Sequence, residues 1–366
     1  MREGWEYKTI EKCTSIEYGT RVVQKRDGGT IYPVYGGGGE TFRMDRYNRE
    51  DCLIIARFAM SPRCVRYVAG KFFLNDSGLS VKSKEELEQA YLNYHLLFFN
   101  DVIYHLGKGA AQRNLDVKAF RQLVIAIPPK PTQLSIVSEL DKLNELIQIK
   151  KVQLKDYDAL AQSIFYEMFG DPVENEKGWE VKTFGDCFSI GAGGTPSTKV
   201  KEYWDNGTIP WIGSNMCQNC IITETDGKFI TEEGLNHSST KLLSPGTVLV
   251  ALVGATIGKV GLLRIETCTN QNVAFIKVQE AETFTSEFVY YHLMGLYGEF
   301  MKIGKGNFKM ANQGFIKLLP ISCPPLSLQQ SFAHKIEQIE RQKAEVQKTI
   351  TDLETLLAAR MQYWFD

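Results

Sequence analysis

Several protein classes are excluded by what the sequence lacks. No apolar run approaches the roughly 20 residues of a membrane-spanning helix. The first five residues show no apolar stretch after a basic one, as a secretory signal would. Eight cysteines scattered over 366 residues favour reduced thiols over a disulfide framework. We therefore expect a cytoplasmic protein without a membrane segment, and the length allows two or three domains.

An excess of charge of one sign is also missing, because the formal net charge is only −1. The balance of basic and acidic residues differs between parts of the chain. Residues 1–130 contain 20 Lys and Arg against 15 Asp and Glu, whereas residues 131–177 contain 5 against 9. Any surface that binds nucleic acid must therefore be a local patch and not the whole molecule.

Motifs for catalysis and for cofactors are absent as well. The five histidines form no HxxxH or HExxH pattern, and no glycine-rich dinucleotide fingerprint is present. Residues 254–260 are one residue short of a phosphate loop and end in Val260 where a hydroxyl is needed. Cys217 and Cys220 form a lone CxxC, whereas a structural zinc site needs a second pair. We interpret them as two loop thiols and expect no catalytic site and no metal in this chain.

What the sequence does contain is an internal repeat. Residues 4–19 match residues 178–193 at an offset of 174, with 9 identities in 16 positions. Three later matches follow in the same order, Gly107-Lys108-Gly109 with 304–306, Pro128-Pro129 with Pro324-Pro325, and Gln133 with Gln329. The offset grows to 196 at the last two, so the second copy carries an insertion of 22 residues. Repeats in a fixed order indicate a duplicated architecture.

Each copy predicts a globular part followed by one long helix. Apolar runs at 52–56 and 247–253 are typical of buried strands, and glycine clusters predict turns. Shorter helices are predicted at 84–99 and 286–303. Each proline pair precedes a long helix and lacks the Asn/Asp-Pro-Pro-aromatic context of aminomethylating enzymes. The predicted segments are a first domain at 1–130, a helix at 131–170, a second domain at 171–325 and a helix at 326–366.

The long helices carry the clearest periodic signal. Apolar residues recur at steps of four and three over more than four heptads, which favours pairing with another helix. A helix packed on its own domain core is the alternative. We expect the two helices to pair antiparallel, which would relate the copies by a pseudo-twofold axis and bring the termini together. The predicted pairing residues are Ile136, Leu140, Leu143, Ile147 and Leu154 in the first helix, and Phe332, Ile336, Ile339, Val346, Ile350 and Leu353 in the second.

This plan resembles the specificity subunit of Type I restriction–modification enzymes over essentially the whole chain. After its Gly-Trp-Glu opening, the second copy carries an ordered set of segments, Gly193-Gly194-Thr195-Pro196-Ser197, Ile209-Pro210-Trp211-Ile212, Gly258-Lys259-Val260-Gly261 and Thr269-Asn270-Gln271-Asn272. The first copy keeps the Gly-Trp-Glu opening but lacks the Gly-Thr-Pro-Ser and Ile-Pro-Trp-Ile segments. It reads Ile31-Tyr32-Pro33-Val34-Tyr35-Gly36 instead. The resemblance implies an α+β protein with two α/β target-recognition domains in pseudo-twofold repeat, separated by an antiparallel pair of long coiled-coil helices.

The resemblance also implies a function. This chain would be a non-catalytic subunit that reads a bipartite target in double-stranded DNA. Two methyltransferase (modification) subunits would methylate adenine with S-adenosylmethionine, and ATP-dependent restriction/translocase subunits would cleave. No cofactor is expected in this chain itself. Two alternatives are a coiled-coil scaffold or adaptor that binds proteins only, and the recognition region of a single-chain restriction–methylation enzyme.

Candidate DNA contacts follow from chemistry, because base edges need paired donors and acceptors while phosphates need cations. Each candidate could instead be a surface charge or a turn residue. Trp5 and Trp179 are interpreted as core or helix-docking residues. The first-domain candidates are Arg21, Lys25, Arg26, Arg57, Arg63, Arg66 and Lys108. The second-domain candidates are Thr195, Ser197, Lys199, Ser214, Asn215, Lys259, Asn270, Gln271, Asn272, Lys305, Asn307 and Lys309.

Overall fold

The computed structural model describes residues 2–109, 112–280, 282–303 and 310–366. The chain forms two compact units. Unit 1 comprises Met1–Val152 and Gln347–Asp366, and unit 2 comprises Gln153–Val346. Both long helices cross these limits, so each helix contributes one part to each unit. Among the described residues, no helix has the length and apolar character needed to cross a membrane.

Unit 1 is built on a six-stranded sheet. The strands of unit 1 as a whole are β1 (Glu6–Thr9), β2 (Thr14–Tyr18), β3 (Tyr32–Gly36), β4 (Gly39–Met44), β5 (Arg49–Ala56), β6 (Val65–Leu74), β7 (Gly78–Ser83), β8 (Gly107–Lys108), β9 (Asn114–Leu115) and β10 (Val124–Ile127). β1 pairs with β10 and β8 with β9 outside the six-stranded sheet. Its helices are α1 (Ile10–Cys13), α2 (Gln24–Asp27), α3 (Gln89–Phe98), α4 (Asn100–His105), α5 (Val117–Gln122) and the first part of α6 (Lys130–Phe169). The sheet order is β2-β7-β5-β6-β3-β4, with β3 and β6 parallel and the other pairs antiparallel.

The predicted strand at 52–56 lies inside β5, where alternation divides its side chains between two cores. Leu53 and Ile55 belong to the main core with α3, while Ile54 belongs to a smaller cluster with Val68 and Phe72. Successive strand residues point to opposite faces of a sheet, so an all-apolar run is buried only where both faces are covered. The predicted helix at 84–99 is shorter in the structure and begins at Gln89.

Unit 2 contains a five-stranded sheet and a three-stranded sheet. Its strands are β11 (Val181–Thr183), β12 (Ser189–Ala192), β13 (Ile209–Ile212), β14 (Cys220–Ile222), β15 (Phe229–Ile230), β16 (Val248–Ala251), β17 (Val260–Leu263), β18 (Cys268–Thr269), β19 (Val273–Lys277) and β20 (Pro320–Ser322). Its helices are α7 (Phe184–Cys187), α8 (Glu232–Asn236), α9 (Ser286–Gly295), α10 (Tyr297–Met301), α11 (Gln313–Leu318) and part of α12 (Leu326–Phe365). The larger sheet has the order β12-β19-β16-β17-β14 and the smaller one β15-β13-β18. The helical segment predicted near 286–303 consists of two helices, α9 and α10, because the chain turns at Leu296 between them.

The start of each long helix is fixed by a buried glutamine amide. In unit 1, the Gln133 Oε1 accepts from the backbone N of Glu88 (2.8 Å) and its Nε2 donates to the Pro128 carbonyl (2.9 Å). Gln329 makes the same bonds with Thr285 (3.0 Å) and Pro324 (2.9 Å) in unit 2. Both amides are fully buried. A buried amide must have partners, so the repeated glutamine and proline pair mark one repeated helix-start structure.

The two long helices run antiparallel within each unit. In unit 1, Glu139 accepts from Arg360 and from the Trp364 Nε1 (3.1 Å), and Lys151 pairs with Glu354 (2.7 Å). Residue numbers rise along α6 as they fall along α12. In unit 2 the same order holds for Asp158 with Lys343 (2.7 Å) and for Phe169 with Phe332, whose rings lie 5.3 Å apart.

Some of the predicted heptad residues pack in the core of a unit, and the others lie farther along the helices. Ile136 and Leu140 belong to the main core of unit 1, and the early residues of α12 belong to that of unit 2, because the first turns of both helices lie over their own sheets. The remaining positions are buried or half-buried farther along the helices. The core positions are Ile136, Leu140, Phe332, Ile336 and Ile339, and the others are Leu143, Ile147, Leu154, Val346, Ile350 and Leu353.

The two chain ends meet in unit 1, as the repeat predicts. The Arg2 guanidinium lies 4.8 Å from the ring centroids of both Trp5 and Tyr363. Phe365 packs in the core beside His95, with ring centroids 4.8 Å apart. In unit 2, the Trp179 Nε1 donates to the carbonyl of Phe169, the last residue of α6 (2.9 Å). This contact confirms the helix-docking interpretation of Trp179.

Candidate nucleic-acid interface

One edge of the five-stranded sheet in unit 2 collects polar residues from separate parts of the chain. The registers Ala192↔Ala274, Ala251↔Val273 and Val250↔Val260 place four features at the same edge. These are the end of β12, the start of β19, the β16–β17 hairpin and the segment before β14. Four interstrand spacings of about 4.8 Å make this edge roughly 19 Å long. We call it the unit 2 edge, formed by residues 193–195, 213–219, 252–259 and 270–272.

Backbone hydrogen bonds hold the segments of the unit 2 edge together. The Gly194 N–H donates to the Thr269 carbonyl (2.8 Å), and the Asn270 N–H donates to the Ile212 carbonyl (3.1 Å). The Thr195 hydroxyl bonds to the Gln271 side-chain oxygen. At Gly193 a Cβ would lie 2.2 Å from the Thr269 carbonyl oxygen, so only glycine permits this approach. Thr195, Ser214, Asn215, Asn270, Gln271 and Asn272, all predicted from sequence, therefore lie on this edge.

The Asn270 side chain has a structural partner on this edge. Its Oδ1 accepts from the backbone N of Asn272 (3.0 Å), which forms an Asx-turn. The turn-residue alternative therefore accounts for one of its polar atoms. Gln271 is exposed, and its side-chain oxygen accepts from the Thr195 hydroxyl.

The opposite end of the unit 2 edge carries Lys259. Its Nζ donates to the Gln218 side-chain oxygen (2.6 Å), and Asn219 accepts from the backbone N of Val260 (2.9 Å). Gln218 and Asn219 were not predicted from the sequence, because the Cys217–Cys220 pattern indicated only a pair of loop thiols. Ser197 and Lys199 are exposed on the loop that follows β12. Lys305, Asn307 and Lys309 lie outside the described residues.

Unit 1 has an edge with the same backbone connections. Gly19 donates to the Gly78 carbonyl (3.0 Å) and Thr20 to the Leu74 carbonyl (3.0 Å). These bonds match those from Gly193 to Val273 (3.0 Å) and from Gly194 to Thr269 in unit 2. The unit 1 edge is formed by residues 18–20, 36–38, 57–66 and 75–77.

The segment 31–36 is a structural counterpart and not a gap in the repeat. The Asn75 N–H donates to the Tyr35 carbonyl (3.0 Å), as Asn270 does to Ile212. β3 pairs in parallel with the end of β6, just as β13 pairs in parallel with β18. The first copy therefore lacks the Ile-Pro-Trp-Ile motif, as predicted, and residues 31–36 take its position in the fold. Residues 32–36 correspond to residues 209–213 and share with them only the proline and the final glycine.

Three predicted arginines meet at the unit 1 edge. The Arg66 Nη2 donates to the carbonyls of Arg63 (2.6 Å) and Gly37 (3.3 Å). Arg57 lies in the same hairpin, and its guanidinium lies over the rings of Tyr18 and Phe58. Lys108 is exposed but pairs with Asp116 (2.5 Å), so its charge is partly neutralised. The structure therefore brings Arg57, Arg63 and Arg66 together.

A second basic region lies on the chain segment between β2 and β3, which contacts β4. Arg21, Lys25 and Arg26 are exposed there, and Arg26 pairs with Asp27 (3.0 Å). The hydrogen bond from Arg26 holds the pKa of the Asp27 carboxyl below its usual value. Neighbouring cations that sequence analysis missed are Arg43, Arg46 and Lys71. Strand alternation could have identified Arg43, because buried Met44 follows it directly in β4.

The weak motifs form no reactive site in the described part of the chain. Residues 254–260 form the hairpin turn between β16 and β17, so they do not open a helix as a phosphate loop would. Cys217 is buried in a core cluster, and burial raises the pKa of its thiol. Within the described ranges, no group of three or more His, Cys, Asp or Glu side chains could hold a metal ion.

Comparison with known proteins bears on this geometry. The family model described as Type I restriction modification DNA specificity domain matches residues 3–156 and 176–355. This chain belongs to that family. The two matched ranges correspond to the two copies of the repeat, and a scaffold without DNA specificity is not favoured.

Similar proteins agree with the family assignment. The EcoR124I/EcoR124II specificity subunit of Escherichia coli is 24% identical over 315 residues, covering 80% of this chain and 75% of that protein. The putative specificity subunit S.HindORF215P of Haemophilus influenzae is 24% identical over 353 residues, covering 92% and 87%. The solved S subunit from M. genitalium superposes with a TM-score of 0.57 at 16% identity, covering 99% and 96%. The predicted fold class, two recognition domains in repeat with long helices, is confirmed.

Proposed function

We propose that this specificity subunit reads a bipartite target in double-stranded DNA, with each sheet edge reading one half-site. The observation that carries the proposal is that both units build the same edge with different side chains. The backbone N of Arg57 donates to the Ser77 carbonyl (2.8 Å), and that of Leu252 donates to the Asn272 carbonyl (2.8 Å). The frame is shared while the side chains on it differ, as two unlike half-sites require.

The dimensions of the edges fit short half-sites. An edge of roughly 19 Å spans about five to six base pairs at about 3.4 Å per pair. The unit 1 edge presents arginines, which suit guanine and phosphate. The unit 2 edge presents hydroxyls and amides with one lysine, which suit adenine and mixed contacts. The half-site read by unit 1 should therefore show the stronger salt dependence.

The paired helices offer matching docking grooves for partners. A groove of about 470 Å³ in unit 1 includes Leu143 and Leu356, and one of about 440 Å³ in unit 2 includes Ile339 and Leu160. Leu356 and Leu160 are repeat equivalents, and each is 47% exposed. Exposed apolar residues at equivalent sites support two copies of one partner. We propose that two methyltransferase (modification) subunits dock there and that restriction/translocase subunits join them.

In this proposal the chemistry belongs to the partners. The methyltransferase subunits would use S-adenosylmethionine to methylate adenine, the restriction/translocase subunits would use ATP, and this chain would bind neither cofactor. The proposed location is the cytoplasm, where the chromosome is accessible. The paired helices would set the distance between half-sites, because a paired helical rod has a fixed rise of about 1.5 Å per residue.

Methylation sequencing tests the proposal directly. Cells that carry this chain with its methyltransferase subunits should show methyladenine at one bipartite motif, and deleting the chain should abolish it. Replacing residues 1–130 with another recognition domain should change one half of the motif only. Methylation that persists without the chain would contradict the proposal. Methyl transfer by the isolated chain would contradict its non-catalytic role.

A further inference from the structure

The Arg57 side chain is held in a defined orientation at the unit 1 edge. Its guanidinium carbon lies 4.9 Å from the ring centroid of Tyr18 and 4.5 Å from that of Phe58. Cation–π contact with an aromatic face restrains the plane of a guanidinium. The N–H groups at the edge of that plane stay available for an in-plane acceptor.

Both rings are themselves anchored. The Tyr18 hydroxyl lies beside Arg121, which pairs with Glu11 (3.1 Å). The backbone N of Phe58 donates to the Ser77 carbonyl (3.2 Å). On its other side, the Phe58 carbonyl lies so close to Gly37 that a Cβ there would be 2.0 Å from the oxygen. Yet Tyr18 and Phe58 remain 43% and 37% exposed, so the anchored rings reach the surface.

Arg57 differs from three other cations of unit 1 in how its donors are used. Arg66 donates to two backbone carbonyls, Arg26 pairs with Asp27, and Lys108 pairs with Asp116. No ion pair of Arg57 occurs in the part of the chain that the structure describes. An oriented guanidinium with free donors matches the two acceptors of guanine, O6 and N7, in the major groove.

We propose that Arg57 reads a guanine in the half-site of unit 1 and that Tyr18 and Phe58 are positioning residues for it. The inference deepens the proposed function and rests on it. The equivalent position in unit 2 is Leu252, whose side chain is buried and has no hydrogen-bond donor. The guanine contact is therefore specific to one half-site.

The test uses the purified complex of the full chain with its methyltransferase subunits and a library of randomised DNA duplexes. Selection with the unaltered complex defines the motif. Arg57→Gln should then lower the preference for guanine at one position of one half-site by about 10- to 100-fold, leaving the other half unchanged. Arg63→Gln is the matched control in the same hairpin. It removes the same charge and should weaken binding evenly without changing the motif.

Three further variants separate reading from folding. Arg57→Lys keeps the charge and the aliphatic stem but loses the planar fork, so it should also lower the guanine preference. Phe58→Leu should lower that preference while Phe58→Tyr restores it, as expected for a positioning ring. An Arg57→Gln or Arg57→Lys complex that keeps every position of the motif would overturn the inference. Failure of the unaltered complex to select any bipartite motif would instead overturn the proposed function.

Discussion

Asn75 in unit 1 and Asn270 in unit 2 form the same turn. The Oδ1 of each accepts from the backbone N two residues farther on, Ser77 at 2.9 Å and Asn272 at 3.0 Å. Both turns stand at the start of the strand that follows, β7 or β19, on the edge proposed to bind DNA. The same residue in the same turn in both units indicates that this asparagine shapes the edge.

We expect Asn75→Ala and Asn270→Ala each to lower the free energy of unfolding by about 1 kcal/mol, because the turn loses its acceptor. Asn270→Asp keeps an oxygen at the same place and should retain most of that stability. Urea unfolding of the three variants measures the difference. An aspartate variant as unstable as the alanine variant would show that the side-chain oxygen does not hold the turn.

The buried histidines predict a pH dependence of stability. Burial lowers the pKa of His95 to about 3 and that of His292 to about 4, against about 6.5 when unfolded. As the pH falls, these histidines are protonated in the unfolded state before they are protonated in the folded state. The free energy of unfolding is therefore highest above about pH 6.5 and decreases as the pH falls below it. For His95→Leu we expect the free energy of unfolding relative to wild type to rise by about 2 kcal/mol between pH 8 and pH 5.

His292→Leu provides the comparison at pH 8. The His292 Nε2 lies 3.0 Å from the Pro320 carbonyl, whereas both ring nitrogens of His95 lack a hydrogen-bond partner among the described residues. His292→Leu should therefore be destabilised at pH 8, while His95→Leu should be nearly neutral or stabilised. Denaturant unfolding at both pH values checks the pair, and a pH-independent difference for His95→Leu would contradict the linkage.

The Glu139–Arg360 contact predicts a second pH effect, in the helix pair of unit 1. Hydrogen bonds from Arg360, and then from Trp364, lower the pKa of the Glu139 carboxyl. Stability from this contact is present above the unfolded pKa of about 4.3 and is lost as the pH falls through the folded pKa. Glu139→Gln should cost about 1 kcal/mol at pH 7 and progressively less below about pH 4. Glu354→Gln, in a half-exposed pair with Lys151, is the control and should change stability by less than about 0.5 kcal/mol.

Alanine substitutions at two neighbouring glycines, Gly37 and Gly38, test whether close packing or backbone flexibility matters at the unit 1 edge. Gly37→Ala places a methyl group 2.0 Å from the Phe58 carbonyl oxygen, so the hairpin that carries Arg57 must move. We expect a loss of about 1 to 3 kcal/mol in stability and weaker binding to DNA. Gly38→Ala meets nothing within 4 Å and should have little effect on either property. Thermal unfolding and duplex binding by the methyltransferase complex check both variants, and equal effects would contradict the packing argument.

The length of the helix pair predicts the length of the unspecified spacer. Inserting one heptad into both α6 and α12, near residues 149 and 352, adds about 10 Å to each helix while keeping the seam in register. The recognised spacer should lengthen by roughly one to three base pairs, with both half-sites unchanged. Methylation sequencing reads the outcome. A spacer of unaltered length would mean that the helices do not set the distance.

The repeat and the long helices could be predicted because their signals are local. Heptad periodicity depends on neighbours three and four residues apart, and the matched opening and proline pairs lie in one order along the chain. That residues 32–36 form the structural equivalent of Ile209–Ile212 could not be established in this way. Residues 32–36 share only the proline and the following glycine with residues 209–213, and their equivalence appears only in the pairing of β3 with β6.

The sequence by itself determined that this protein has two copies of one architecture, each ending in a long amphipathic helix. Duplication and periodicity can both be detected from the order of residues along the chain. Only the tertiary structure decided which polar side chains meet. Thr195 and Gln271 are 76 positions apart and become neighbours because strand order places the end of β12 beside the start of β19. Strand order depends on packing between distant segments, and a single sequence carries no local signal for it.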